Sequence, residues 1–182
     1  MKKILQAKEK ILRQKSKEVP AAEIAKPKIK KIIKEMSLAL KSQSDGVAIA
    51  APQIGYLLRI FVVSGKIFSP GFADKRGRET SEVQKDAKGA KDVVFINPKI
   101  SKLSRQKEWV PEGCLSVRWL YGKTHRAKKA TVAAYDEKGG KFTRGASGLM
   151  AQIFQHETDH LEGILFIDHA KDIKEEKPNE KV

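Results

Sequence analysis

The chain has few of the residues that cross-link secreted proteins and no long apolar segment. Of its 182 residues only Cys114 is a cysteine, which excludes a disulfide framework and fits a reducing compartment. No run of about 18 apolar residues occurs, so no membrane span is predicted. Residues 1–5 lead into no apolar signal-peptide region. Aromatic residues make up 7%, and no motif for sequence-specific nucleic-acid binding accompanies them. We therefore expect a cytoplasmic protein.

Acidic residues are scarce relative to basic ones. The chain has 37 Lys and Arg against 22 Asp and Glu, which gives a formal net charge of +15. Such a charge favours nearness to polyanions, namely ribosomal RNA, other nucleic acid or an acidic membrane. Several lysines decorate a helix predicted from Pro27 to about Lys41, where the apolar residues repeat at helical spacing. A solvated basic face is a more ordinary explanation of these lysines than a dedicated RNA site.

The most informative stretch is a His-Glu-x-x-His pattern formed by His156, Glu157 and His160. In a helix, residues four apart lie on one face about one turn apart, so both imidazoles can bind one metal ion. Glu157 can then act as a general base on water. The flanking apolar residues also repeat at helical spacing, with Ser147 and Gly163 as plausible limits of the helix.

A catalytic metal usually has three protein ligands, and the residues alone leave the third one open. One candidate is Cys114, although a lone cysteine is often simply a small buried hydrophobe. The other candidates are the downstream carboxylates of Glu175, Glu176 and Glu180. These lie in segment 171–182, which is so charged that we expect it to be frayed. A zinc peptidase that uses one of these carboxylates is therefore one alternative function. A basic RNA-binding protein with a structural metal site is another.

Three segments together resemble the peptide deformylase family. Gly46 to Gln53 resembles the family pattern Gly-x-Gly-x-Ala-Ala-x-Gln, and Glu112 to Ser116 matches Glu-Gly-Cys-Leu-Ser. Gln155 to His160 matches Gln-His-Glu-x-Asp-His. The order and rough spacing agree, and the similarity runs from about residue 4 to residue 168. One such motif would be weak, but three in order are a strong indication of the family.

The resemblance implies a role for each matching residue. One divalent metal would be held by Cys114, His156 and His160; it would be Fe(II) in the native enzymes, with Zn, Ni or Co as substitutes. Glu157 would take a proton from the attacking water and pass it to the leaving amine. Gln53 and the backbone N–H of Leu115 would stabilise the oxyanion. The implied reaction removes the N-formyl group from the N-terminal formyl-methionine of newly made proteins and releases formate.

The resemblance also implies a substrate site. The residues expected to line it are Gly46, Val47, Ala48, Leu149 and Ile153. Gln152 lies on the same helix and would make the pocket for an unbranched apolar side chain more polar. Ala48 stands where the family pattern has its second Gly. If the backbone there must adopt a positive φ, alanine is strained. If the family glycine serves only to give clearance, the methyl group of Ala48 narrows the groove.

Several predicted strands precede one central helix, which predicts an α+β fold of antiparallel β-sheets around the metal-binding α-helix. We expect a catalytic domain over 1–168 and a charged tail over 169–182. Further predictions are a loop at 118–122 that contains Trp119 and Tyr121, and an ion pair between Arg126 and a carboxylate such as Glu112. Strands are predicted at Leu57–Val63, Val93–Ile96, Ile100–Val110 and Ala130–Tyr135. A hairpin turn is predicted at Asp136–Gly140 and a mobile insertion at Ser64–Lys91.

Overall fold

A computed structural model describes residues 2–69, 72 and 91–177. Two α-helices lie in these ranges, α1 over Pro27–Lys41 and α2 over Gly148–Leu161. The described strands are β1 (Ala48–Ala50), β2 (Ile60–Val63), β3 (Val93–Leu103), β4 (Lys107–Gly113), β5 (Leu120–Ala127), β6 (Lys129–Tyr135), β7 (Lys141–Ser147) and β8 (Lys171–Glu175). None of the helices in these ranges is long and apolar enough to cross a membrane.

The strands form two antiparallel sheets. The larger one has the order β1-β2-β3-β6-β7, and the smaller one has the order β4-β5-β8. Helix α2 contacts strands of both sheets, including β6 of the larger and β5 of the smaller. The predicted fold class, antiparallel sheets around a central helix, is therefore confirmed.

The larger sheet has one helix on each face because its strands are apolar on both sides. Phe61 and Phe95 stack with ring centroids 4.5 Å apart, and Phe154 of α2 meets Phe95 at 5.3 Å. Ile60 and Val62, the neighbours of Phe61 on β2, belong to a second buried cluster that includes residues of α1. Successive side chains of a strand point to opposite faces, so β2 serves both cores. This arrangement buries most of α2, including His160, inside the molecule.

Both helices have the predicted limits. Pro27 occupies the first turn of α1, where its missing N–H costs nothing. Ser147 is the residue before the first turn of α2, although its side chain does not cap the helix. Gly163 follows the helix with a φ of 77°. A Cβ at Gly163 would lie 2.7 Å from the carbonyl of Arg13, so glycine is required there for both conformation and space.

Two strand predictions and one loop prediction are wrong at their boundaries. Strand β3 does not stop at Asn97, because a bulge with φ of 50° at Asn97 carries it on to Leu103. The single strand predicted over 100–110 is two strands, since the chain leaves the larger sheet at Leu103 and enters the smaller one at Lys107. The predicted loop at 118–122 ends earlier, because β5 starts at Leu120. The predicted hairpin between β6 and β7 is confirmed.

Two segments expected to be mobile are partly ordered. Residues 65–68 form a short 3-10 helix in which Ile67 and Phe68 are buried, so the predicted insertion does not begin at Ser64. Residues 70–71 and 73–90 lie outside the described ranges. The frayed segment predicted from Lys171 is wrong for Lys171–Glu175, because β8 pairs its backbone with β5 even though its side chains are exposed. The division into a domain at 1–168 and a tail at 169–182 stays a prediction.

Candidate metal centre and active cleft

The side chains of Cys114, His156 and His160 converge on one point. One potential ligand atom from each lies within 4.8 Å of those of the other two. The Sγ of Cys114 is 3.2 Å from Nε2 of His160. The two histidines lie on successive turns of α2, and Cys114 directly follows β4. The end of a strand in the smaller sheet thus meets the middle of the buried helix.

The donor set fits a single metal ion. A thiol and two imidazoles are ligands that iron and zinc favour. Two buried polar atoms at this group, Oε2 of Glu157 and Nδ1 of His160, have no hydrogen-bond partner among the described residues. Within residues 2–69, 72 and 91–177, no other group of three His, Cys or acidic side chains is arranged to hold an ion. Glu175 and Glu176 are not part of this group, and Glu180 lies outside the described ranges.

The carboxylate of Glu112 orients His156. Its Oε1 lies 2.8 Å from Nδ1 of His156 and accepts a 2.7 Å hydrogen bond from Arg126. Its Oε2 accepts hydrogen bonds from Thr124 at 2.7 Å, Arg126 at 3.1 Å and Gln152 at 3.0 Å. The predicted pairing of Arg126 with Glu112 is therefore confirmed. Because Nδ1 of His156 is engaged, Nε2 is the nitrogen available to a metal.

Strand register brings this network together. Thr124 and Arg126 lie two residues apart on β5, so their side chains share the face that meets Glu112 on β4. Arg126 also donates a 2.7 Å hydrogen bond to Asp159, which ties β5 to α2. Burial alone would raise the pKa of Glu112, but the neighbouring His156 and Arg126 hold that pKa well below its usual value. Glu112 is thus a buried anion that Arg126 neutralises.

Glu157 and Gln53 flank the metal centre. Glu157 is 3% exposed, and burial raises the pKa of its carboxyl group to about 7 despite the opposing charge of His156. Gln53 lies in a short 3-10 helix after β1, where its Oε1 accepts a 2.8 Å hydrogen bond from the N–H of Ala50. Its Nε2 donates to Ser116 at 3.0 Å and lies 3.6 Å from Sγ of Cys114. The orientation of this amide is therefore fixed, with its N–H groups on the side of the metal centre.

A cleft of about 470 Å³ opens onto this centre. The predicted residues that line it are Gly46, Val47, Ala48, Gln53, Cys114, Leu115, Leu149, Ile153, His156 and Glu157. His160 does not line the cleft and is 1% exposed behind it. The structure thus brings the predicted residues of all three motifs to one place, and the walls also include Gln152, Trp119 and Tyr121.

Comparison with known proteins identifies the family. The family model described as polypeptide deformylase matches residues 1–176. The chain belongs to the polypeptide deformylase family. Peptide deformylase 2 of Clostridium acetobutylicum is 38% identical over 168 residues, which cover 92% of this chain and 94% of that protein. The family predicted from the three motifs is thereby confirmed.

Solved deformylase structures share the fold. The Met-Ala-Ser-bound class I type b peptide deformylase of Acinetobacter baumannii superposes with a TM-score of 0.76 at 28% identity, covering 91% of this chain and 96% of that one. The peptide deformylase of Synechococcus elongatus in complex with actinonin gives a TM-score of 0.74 at 29% identity. That match covers 94% of this chain and 79% of the Synechococcus chain.

The deformylase motif around Gly46 can now be explained by geometry. A Cβ at Gly46 would lie 2.9 Å from Cδ1 of Leu40 and 3.2 Å from Cδ1 of Leu115, so this glycine provides clearance. Ala48 lies in β1 opposite Val63, and its φ is not positive. Alanine is therefore unstrained at the second position of the motif, and its methyl group simply lines the cleft.

One contact across the deformylase cleft was missed by sequence reasoning. Arg118 forms an ion pair with Asp45 and donates a 2.9 Å hydrogen bond to Gln43. Its guanidinium also lies 4.7 Å from the centroid of the Trp119 ring. These contacts join the segment after Cys114 to the segment before β1. The partners are 73 residues apart in sequence, so no local pattern could have indicated the pair.

Proposed function

We propose that Cys114, His156 and His160 are the metal ligands of this deformylase and that Glu157 is its general base. The enzyme is a hydrolase that removes the N-formyl group from the N-terminal formyl-methionine of newly made proteins and releases formate. The observation that carries the assignment is the meeting of the three ligand atoms within 4.8 Å, beside a cleft that Cys114, His156 and Glu157 line.

One divalent metal ion fits this site, and we propose Fe(II) as the native ion, with Zn, Ni or Co as substitutes. When bound, such an ion would act as a Lewis acid and would lower the pKa of a water ligand towards ~7. One thiolate and two neutral imidazoles would hold it. The hydrogen bond from Nδ1 of His156 to Glu112 keeps that ring in the orientation and tautomer that ligation requires.

Glu157 moves the proton. Its carboxylate is buried at the cleft floor, and one of its oxygens has no hydrogen-bond partner. It accepts a proton from the water that attacks the formyl carbon. As the carbon–nitrogen bond breaks, Glu157 gives that proton to the departing amine, and formate leaves. The same group therefore serves as base and then as acid.

Gln53 and Leu115 stabilise the charge that develops on the formyl oxygen. The amide of Gln53 is held by Ala50 and Ser116, so its Nε2 does not need to reorganise during the reaction. The backbone N–H of Leu115 follows Cys114 directly and is the second donor. One such donor is worth about 3–4 kcal/mol of transition-state stabilisation.

The substrate lies beside β1. This strand forms the edge of the larger sheet, and Gly46, Val47 and Ala48 line the cleft next to it. An edge strand presents backbone groups with which an extended peptide can pair. Leu149 and Ile153 of α2 form the apolar wall for the methionine side chain, and Gln152 makes part of that wall polar. The Met-Ala-Ser complex of the Acinetobacter relative supports a peptide as the ligand.

We further propose a cytoplasmic enzyme that works near the ribosome. Its substrates are the N-termini of chains that leave the ribosome, and its net charge of +15 favours association with ribosomal RNA. A ligand thiolate at Cys114 needs a reducing compartment, because oxidation would destroy its ability to bind metal. No sequence-specific nucleic acid and no membrane partner is proposed.

The assignment is tested by formate release from a formyl-Met peptide, using protein loaded anaerobically with Fe(II) or Ni(II). We expect metal-dependent release that Glu157→Gln abolishes while the metal stays bound. Cys114→Ala should lose the metal as well. Retention of stoichiometric metal by Cys114→Ala would instead favour a carboxylate ligand. Full activity of Glu157→Gln would remove Glu157 from the mechanism.

A further inference from the structure

The solvent-facing side of helix α1 carries a continuous row of lysines. The helix buries its apolar side, including Ile32 and Met36, against the larger sheet. Three lysines on the opposite side, Lys30, Lys34 and Lys41, follow at intervals of four and seven residues, which places them along one line of the helix. The residues that we name the lysine face are Lys28, Lys30, Lys31, Lys34 and Lys41, and all five are exposed.

The charge of the lysine face is not compensated within the described structure. Elsewhere on the surface, lysines pair with acids, for example Lys99 with Glu18 at 2.9 Å. None of the five lysines forms an ion pair within residues 2–69, 72 and 91–177. The one acidic residue of α1, Glu35, instead accepts a 2.8 Å hydrogen bond from Tyr56. The face therefore presents five positive charges to solvent.

Most of this arrangement does not stabilise the helix, although Lys41 in the last turn suits the negative end of the helix dipole. Like charges three or four residues apart, such as Lys30 and Lys34, destabilise a helix by mutual repulsion. The first turn of α1 contains no acidic residue, and its lysines, Lys28 and Lys30, oppose the positive end of the helix dipole. A solvated face would be more stable with acidic residues interspersed. A polyanion that binds the lysines would offset this repulsion.

The helix ends beside the active cleft. Cδ1 of Leu40, in its last turn, lies 2.9 Å from the position of a Cβ on Gly46. Lys41 is the last residue of α1 and lies at this end. A partner that runs along the lysine face would therefore reach the cleft wall where the substrate binds.

We infer that the lysine face is a docking surface for the phosphate backbone of structured RNA. The inference deepens the proposed association with RNA, because it names the surface responsible. Lysines at regular spacing suit phosphate contacts, which position a protein without reading sequence. An anionic membrane fits less well, since the apolar side of α1 is buried in the core and cannot insert into lipid. Leu38 is the single large apolar side chain of α1 that is exposed, so the outer side of the helix has no apolar stripe to insert.

The test compares two triple variants with the same change in net charge. The first is Lys30→Gln, Lys34→Gln and Lys41→Gln on the lysine face. The control is Lys102→Gln, Lys107→Gln and Lys129→Gln, which are exposed lysines on strands without an ion pair in the described ranges. The full chain, loaded with Ni(II), is titrated with a fluorescent RNA hairpin, and anisotropy is followed between about 50 and 200 mM KCl.

We expect the lysine-face variant to bind the hairpin at least tenfold more weakly and the control less than threefold more weakly. The slope of log K against log salt should fall by about 2–3 for the lysine-face variant, because each lost phosphate contact removes about one released counterion. Equal losses in both variants would overturn the inference, as would undetectable binding by the wild-type chain. Equal or tighter binding to vesicles that contain phosphatidylserine, lost in the same variant, would point to a membrane and also overturn it.

Hydrolysis of a free formyl-Met peptide, measured on the same samples, separates this inference from the catalytic one. We expect both variants to release formate at the wild-type rate, since no substituted lysine lines the cleft. Lack of hydrolysis by all three proteins would contradict the proposed catalytic residues. The RNA titration would still test the lysine face, because it does not depend on hydrolysis. Unchanged thermal unfolding of the variants would show that the substitutions do not disturb α1.

Discussion

The buried ion pair behind the metal centre should carry a large share of the stability of this protein. Arg126 is 7% exposed and donates two hydrogen bonds to Glu112 and one to Asp159. Replacement by methionine, of similar length, leaves the carboxylate of Glu112 buried without the guanidinium that donates two hydrogen bonds to it. Removal of one partner from a buried ion pair costs about 3–5 kcal/mol. Because whole domains are stable by about 5–15 kcal/mol, Arg126→Met should lose about a fifth or more of the free energy of unfolding.

The matched control is Arg13→Met. Arg13 pairs with Asp168 at the surface, where the two side chains are 42% and 36% exposed. Such exposed pairs contribute about 0–1 kcal/mol, because water screens the charges. Urea unfolding of metal-free protein measures the stability. Competition with a chelator, on metal-loaded samples, measures the metal affinity. We also expect metal affinity to fall about 10–100-fold in Arg126→Met, since Glu112 would no longer hold His156 in place.

A cost for Arg126→Met no greater than that for Arg13→Met would refute this reasoning. It would mean that Glu112 becomes protonated or solvated without Arg126. An unchanged metal affinity combined with a large loss of stability would refute only the second step, the orientation of His156 through Glu112.

Three further predictions concern the cleft. Gly46→Ala should destabilise the protein by about 1–3 kcal/mol through crowding and should weaken substrate binding. The control Gly145→Ala, whose Cβ would meet only Thr131 Oγ1 at 3.6 Å, should be tolerated. Urea unfolding measures the change in stability, and KM measures the change in substrate binding. Ala48→Gly should change KM less than about threefold and lower stability by about 0.5–1 kcal/mol, because glycine weakens a strand; a large gain in turnover would show that the methyl group obstructs the groove. Gln152→Leu should retain stoichiometric metal and lower KM for formyl-Met peptides about fourfold, the effect of roughly one more buried methylene; loss of metal would show that Glu112 depends on Gln152.

The sequence was sufficient for the parts of this enzyme that depend on local spacing. The separation of His156 and His160 by four residues places both imidazoles on one side of any helix, and the apolar repeat around them predicts that this side is buried. The limits of both helices were predictable for the same reason, since proline, serine and glycine act within one turn. The choice of Cys114 as the third ligand depended on resemblance, because spacing alone could not distinguish it from Glu175 or Glu176.

The strand boundaries and the supports of the site were less predictable. A strand that continues through the bulge at Asn97 looks interrupted in sequence, and the change of sheet between Leu103 and Lys107 has no periodic signature. The charged segment 171–175 looks frayed by composition, yet β5 supplies partners for its backbone. Backbone pairing is nearly independent of side-chain polarity at an exposed sheet edge, so composition misleads there.

The sequence by itself determined the family, the two histidines proposed as metal ligands, the proposed general base beside them and the helix that carries all three. Only the tertiary structure decided that Cys114 meets these histidines, that Glu112 orients His156, and that Arg118 joins both sides of the cleft. The physical reason is range: a helix sets side-chain directions over one or two turns, whereas these contacts depend on strand register and on sheet packing between segments far apart in the chain.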